Sequence, residues 1–83
     1  MKHAAAQALD RLEPLLGELR KHAQLKERSR GVFYRGGKAF LHFHEHGEEL
    51  YADVRLADDF ERFPVTSRTE GRAFLKKVSQ VLA

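Results

Sequence analysis

The stretch Leu41-His42-Phe43-His44-Glu45-His46 carries the residue types best suited to chemistry in this chain. In an extended strand, alternate side chains project from one face about 7 Å apart, so His42 and His44 can bring two imidazoles to one ion. Asp53, in the next extended run, is the candidate third ligand. Imidazole and carboxylate donors suit zinc or another imidazole-binding divalent metal, which makes His42, His44 and Asp53 a candidate metal site. The competing explanation is an ordinary solvated face, which antiparallel sheets commonly carry. His42 beside Asp53 would also be an oriented imidazole for acid-base work. No serine or cysteine nucleophile lies nearby, however, and Tyr51 is a poor nucleophile near neutral pH. These residues assemble no active site, and non-enzymatic binding is the expectation.

Aromatic residues offer a second chemistry on the same face. Period-two alternation places Phe40 and Tyr51 beside the histidines and Arg55, with either Phe33 or Tyr34 nearby. Rings next to cations on an open sheet stack nucleobases, which points to single-stranded nucleic acid. Arg28, Arg30 and Arg35 are candidate ligands for a phosphate or another anion. The same mixture of aromatics and paired charges also makes a protein interface, often of a twofold dimer. A self-associating interaction module using the Phe40, His42, His44, Tyr51, Asp53 and Arg55 face is therefore the expected function. Metal binding and nucleic-acid or phosphate binding are the alternatives.

Charge distribution narrows the partners. The net charge of +3 is well short of the dense positive field of a dedicated nucleic-acid binder. From Arg20 to Lys38 the chain carries Arg20, Lys21, Lys26, Arg28, Arg30, Arg35 and Lys38 against the single acid Glu27. From Glu45 to Glu61 it carries Glu45, Glu48, Glu49, Asp53, Asp58, Asp59 and Glu61 against the single base Arg55. Blocks of this kind pair within a molecule, pair with a second copy, or stay solvated.

Positioning these groups is the work of one small domain. A chain of 83 residues buries only roughly 60 to 65 per cent of its unfolded surface, enough for one core over residues 1–83. The absence of cysteine excludes disulfides, thiolate metal sites and thiol nucleophiles, and fits the cytoplasm. No signal-peptide pattern or membrane-length apolar run is present, so no membrane partner is expected.

The fold class expected is α+β. Ala5, Ala8, Leu9 and Leu12, then Leu15, Leu16, Leu19 and Ala23, form the apolar stripe of an N-terminal helix. Pro14 either kinks that helix or starts a second one, with Glu13-Pro14 as the expected break. Val32–Arg35 and Lys38–His44 flank Gly36-Gly37 as a hairpin with a primed turn. In Leu50–Leu56, Leu50, Ala52, Val54 and Leu56 alternate with Tyr51, Asp53 and Arg55. A turn over His46-Gly47-Glu48-Glu49 places His42 opposite Asp53 and His44 opposite Tyr51, whereas a two-residue loop would set His42 opposite Tyr51. These runs make a three-stranded antiparallel sheet. Phe60–Thr66 is either a fourth, edge strand or an extended connector, because Pro64 cannot donate to a ladder. Ser67-Arg68-Thr69-Glu70 matches a capping box opening a C-terminal helix, whose Phe74, Leu75, Val78, Val81 and Leu82 pack on one sheet face.

The segment FYRGGKAFLHFHEHGEELYADVRL, Phe33 to Leu56, resembles a small, mostly uncharacterised bacterial domain group and is similar to the luciferase-associated domain. The shared elements are Gly37 before the His42 and His44 strand, and Asp53-Val54 in the strand that follows. The similar domains usually show a further histidine after a Glu-Gly-Arg-Ala stretch; here Glu70-Gly71-Arg72-Ala73 runs into Phe74 and Leu75. The resemblance thus implies a fold unit rather than a shared activity, and the chain has no Gly-x-Gly-x-x-Gly fingerprint for a flavin or dinucleotide. The helix, three-strand, helix order also resembles double-stranded-RNA-binding domains. Their lysine cluster at the start of the last helix is missing from Thr69–Ala73, since Lys76 and Lys77 come after the first turn.

Overall fold

A computed structural model describes every residue from Met1 to Ala83. The element order is β1 (Lys2–His3), α1 (Ala6–Leu19), β2 (Leu25–Ser29), β3 (Val32–Arg35), β4 (Lys38–His46), β5 (Glu49–Arg55), β6 (Phe60–Pro64) and α2 (Arg68–Leu82). The strands form one antiparallel sheet in the order β2-β3-β4-β5-β6, with β1 paired to β4. This is the α+β class expected, with more strands than the apolar alternation reveals. β4 has β5 along one side, whereas its other side is shared, with β3 taking Lys38 to Leu41 and β1 taking His44 and Glu45.

Both helices pack into one core with the apolar face of the sheet. Ala8, Leu12, Leu15, Leu16 and Leu19 of α1 and Phe74, Val78 and Leu82 of α2 join Leu41, Phe43, Ala52 and Val54 in a single cluster. Phe74 fixes α2 on the sheet, its ring 6.4 Å from Phe43 and 5.9 Å from Phe63. The capping box at the start of α2 forms as expected: the Ser67 hydroxyl accepts from the Glu70 amide, and the Glu70 carboxylate accepts from the Ser67 amide. No helix is long and apolar enough to cross a membrane.

The expected break at Glu13-Pro14 does not occur. α1 runs unbroken through Pro14, which is exposed, as is Asp10, the residue whose carbonyl loses its amide partner. Water can satisfy that carbonyl, while the leucines on both sides of Pro14 stay buried together. Phe60–Pro64 is a true edge strand, so its proline sits where no ladder amide is needed. β2 has the sequence LKERS, which lacks apolar alternation because the strand forms the opposite edge of the sheet. A charged edge of this kind discourages pairing with another chain.

The basic block pairs mainly with acids of α1 rather than with the acidic block. Arg20 bridges Glu13 and Glu27, and Arg30 reaches Asp10 at 2.9 Å and Glu13 at 2.7 Å. Glu27 also accepts from the Gly31 amide at 2.9 Å. This ties the β2–β3 turn to α1. Gly31 has φ +80°, and a Cβ there would lie 2.7 Å from Leu9 Cδ2. Gly36, at φ +57°, faces open space. Gly31→Ala is therefore expected to cost about 2–3 kcal/mol and Gly36→Ala about 1 kcal/mol, read from urea unfolding midpoints. Equal costs would contradict the close approach of Leu9.

Candidate histidine metal centre

The site is built on the face of β4 and β5 opposite the helices. With Leu41, Phe43, Ala52 and Val54 buried, alternation sends His42, His44, Tyr51 and Asp53 the other way. The register pairs His42 with Asp53 and His44 with Tyr51, as expected. The expected four-residue turn does not form, however: the strands remain paired out to His46 and Glu49, so Gly47-Glu48 alone makes the turn, and a two-residue loop centred there keeps His42 opposite Asp53 rather than Tyr51.

The third histidine comes from outside this hairpin. His3 on β1 lies directly across from His44 on β4, and its ring stacks on that of His44 with centroids 4.7 Å apart. His42 and His44 meet edge to face at 4.9 Å. One ring nitrogen from each of His3, His42 and His44 lies within 4.8 Å of the other two. Nothing in the local pattern announces His3, because a two-residue strand has no periodicity. Two further contacts hold it there: the Ala4 amide donates to the Phe43 carbonyl at 3.0 Å, and the Ala5 amide to Glu45 Oε2 at 2.7 Å. His46, near the turn, lies outside the triad.

Two rings of this triad hold buried nitrogens without hydrogen bonds. His42 Nδ1 and both Nδ1 and Nε2 of His44 are buried and make no hydrogen bond. Each buried polar atom left this way costs roughly 1–3 kcal/mol, so three in one cluster call for an explanation. A bound cation would account for one nitrogen on each of His42 and His44, and the nearby Asp53 carboxylate for the second nitrogen of His44.

Asp53, the expected third ligand, is paired with an arginine and lies outside the histidine triad. Both of its oxygens are engaged by Arg62, through Nε to Oδ1 and an Nη to Oδ2, each at 2.8 Å. Its Oδ2 also lies 3.1 Å from His44 Nε2, close but out of hydrogen-bond alignment. The Arg62 hydrogen bonds hold the Asp53 carboxyl below its ordinary range against the opposing effect of burial. A charged carboxylate beside His44 is thus placed to orient that ring from behind.

The other expected binding residues are distributed differently. Phe40 is a core residue, only 2% exposed. Between the pairs Tyr34↔Ala39 and Phe33↔Leu41 the β3–β4 ladder skips Phe40, and this bulge breaks the alternation that would have put Phe40 with the histidines. Tyr51 is half-buried between His44 and Pro64 in the ladders. Arg55 donates to the carbonyls of Ala39 and Asp58 and lies 4.5 Å over the Phe60 ring. Phe60, 37% exposed, joins Tyr51 on this face, its ring 4.9 Å from His42. Arg28, Arg30 and Arg35 do not converge. Arg30 is held by its two carboxylates, Arg28 lies over Tyr34, and Arg35 lies over Phe40 at the far end of the β2–β3 ladder.

Burial, then the neighbouring His44, favours the neutral ring of His42 and keeps it below the usual imidazole range, against the pull of Asp53. As pH falls the unfolded chain takes up this proton first. The contribution is therefore full above about pH 6.5 and is lost as pH drops through the lower folded-state value. With chelator present, urea midpoints should fall from pH 7.5 to pH 5, and His42→Gln should flatten that fall. An unchanged slope in the variant would contradict the assignment.

Comparison of the chain with protein-family models, with curated proteins and with solved structures found no match.

Proposed function

We propose that this protein is a divalent-metal-binding domain of the zinc-like class, with His3, His42 and His44 as ligands and Asp53 as the group that orients His44. The observation carrying this reading is the convergence of three imidazoles, two of which, His42 and His44, hold a buried Nδ1 with no hydrogen-bond partner. Neutral imidazole is the form that binds, and the lowered basicity of His42 keeps its lone pair free near neutral pH. Asp53 sits at Nε2 of His44, so a small ring rotation forms that hydrogen bond and leaves Nδ1 for the metal.

A tetrahedral ion with 2.0–2.1 Å bonds needs ligand nitrogens about 3.3 Å apart, so the rings must close in from their present spacing. His3, exposed and on a two-residue strand, is the ligand with most freedom to do so. Three nitrogen donors leave a fourth position for water or an incoming group. The donor set excludes the oxygen-loving ions calcium and magnesium and favours zinc, with copper and nickel as competitors.

Zinc titration of chelator-stripped protein by calorimetry should give one site per chain. His3→Ala, His42→Ala and His44→Ala should each weaken it at least roughly tenfold, and Asp53→Asn by roughly 10–100-fold. His46→Ala should bind as the parent does. Zinc uptake that is equally strong in the His3, His42 and His44 variants, or that is lost only with His46, would sink the proposal.

A further inference from the structure

A second site lies on the helix side of the molecule. α1 and α2 diverge around an open groove of about 450 Å³, within the range of small-molecule sites. Its apolar lining comes from Leu12, Leu15, Val65 and Leu75, and Arg11, Arg68 and Arg72 also line it. Gly71 contributes to the floor, where a Cβ would already touch Leu15 at 3.6 Å, so the helices are close there.

What sets this groove apart is the state of its arginines. Elsewhere Arg20, Arg30 and Arg62 are held by carboxylates and Arg55 by two carbonyls, while Arg28 and Arg35, without hydrogen bonds, lie over aromatic rings at separate places. Arg11 gives one bond to the Glu48 carbonyl and keeps its other donors. Arg68 and Arg72 have no hydrogen-bond or ion-pair partner at all, and both face the same groove. The remaining polar groups of the lining are already satisfied. Glu18 is paired with Lys21 at 2.9 Å, Thr66 is bonded to the Leu50 backbone, and the Ser67 hydroxyl caps α2. Glu70 turns its carboxylate onto the Thr66 and Ser67 amides. The unspent polar capacity of the groove is therefore cationic and planar, the geometry that recognises a carboxylate or phosphate bidentately.

We propose that the groove binds a small amphiphilic organic anion, its acidic head on Arg68 and Arg72 and its apolar body on Leu12, Leu15, Val65 and Leu75. Charge complementarity selects the head, and the apolar lining between the helices selects the body. The site is independent of the histidine centre, which lies across the sheet.

Decanoate is a suitable probe, with decanol and inorganic phosphate as the headless and tailless controls, followed by amide shifts in ¹⁵N-labelled protein. Decanoate should bind saturably, with shifts confined to α1, α2 and residues 65–67. Arg68→Gln/Arg72→Gln should weaken it at least roughly tenfold while leaving the circular dichroism unchanged, as expected for losing charge-assisted bonds at exposed, unpartnered residues. Decanol and phosphate should each bind more weakly by a similar factor. No saturable binding, undiminished binding by the double variant, or equal binding of either control would overturn the proposal. Shifts centred on His42 and His44 would overturn it as well.

Discussion

Leu41 and Phe43 on β4 and Ala52 and Val54 on β5 must be buried together under two helices, and strict alternation then leaves no choice about the residues between them. A slip of one residue in this ladder would turn His42 and His44 into the core and expose two large apolar side chains. Burial of Leu or Phe is worth about 1.5–3 kcal/mol each, so the register is firmly held. The part of the histidine face carried by β4 and β5 follows from it. His42 meets Asp53 and His44 meets Tyr51, and Asp53 comes within reach of Arg62 on β6.

The same sheet creates a tension that a ligand would resolve. The half-buried imidazoles of His42 and His44 meet edge to face, exposed His3 stacks on His44, and the Nδ1 atoms of His42 and His44 are buried without a hydrogen bond. Asp53 is fixed by Arg62 and therefore cannot swing away from His44. The ion would link strands that the chain itself joins only loosely, because His3 belongs to a two-residue strand while His42 and His44 belong to the centre of the sheet. Metal binding would then add stability according to its affinity and free concentration. The groove on the helix side has the complementary character: the Thr66 and Ser67 hydroxyls that line it are satisfied within the fold, and its guanidiniums are not.

Much of this architecture is legible in the residues. The β4–β5 pairing, the Gly36-Gly37 turn and the Ser67 capping box all rest on local rules, and the structure follows them. Three features are not legible, for separate physical reasons. β2 is an edge strand whose single apolar residue, Leu25, packs against the core, so it has no apolar period. Phe40 sits at a bulge, where one extra residue defeats a parity argument that is correct from Leu41 onward. His3 reaches the site through a pairing across 41 positions of the chain, which no nearby residue encodes. Asp53 stands opposite His42 as the register predicts, and its engagement by Arg62 depends on a strand whose pairing the pattern does not fix.

Cobalt(II) absorption spectroscopy on the chelator-stripped protein tests the central claim most directly, because the ion's visible bands report coordination number and its zinc-like radius lets it occupy the same site. Three imidazoles and one open position predict a single equivalent of cobalt with intense tetrahedral-type bands that collapse in His3→Ala and are displaced by zinc. Weak octahedral bands unaffected by His3→Ala, or no bound cobalt, would contradict a metal centre built from His3, His42 and His44.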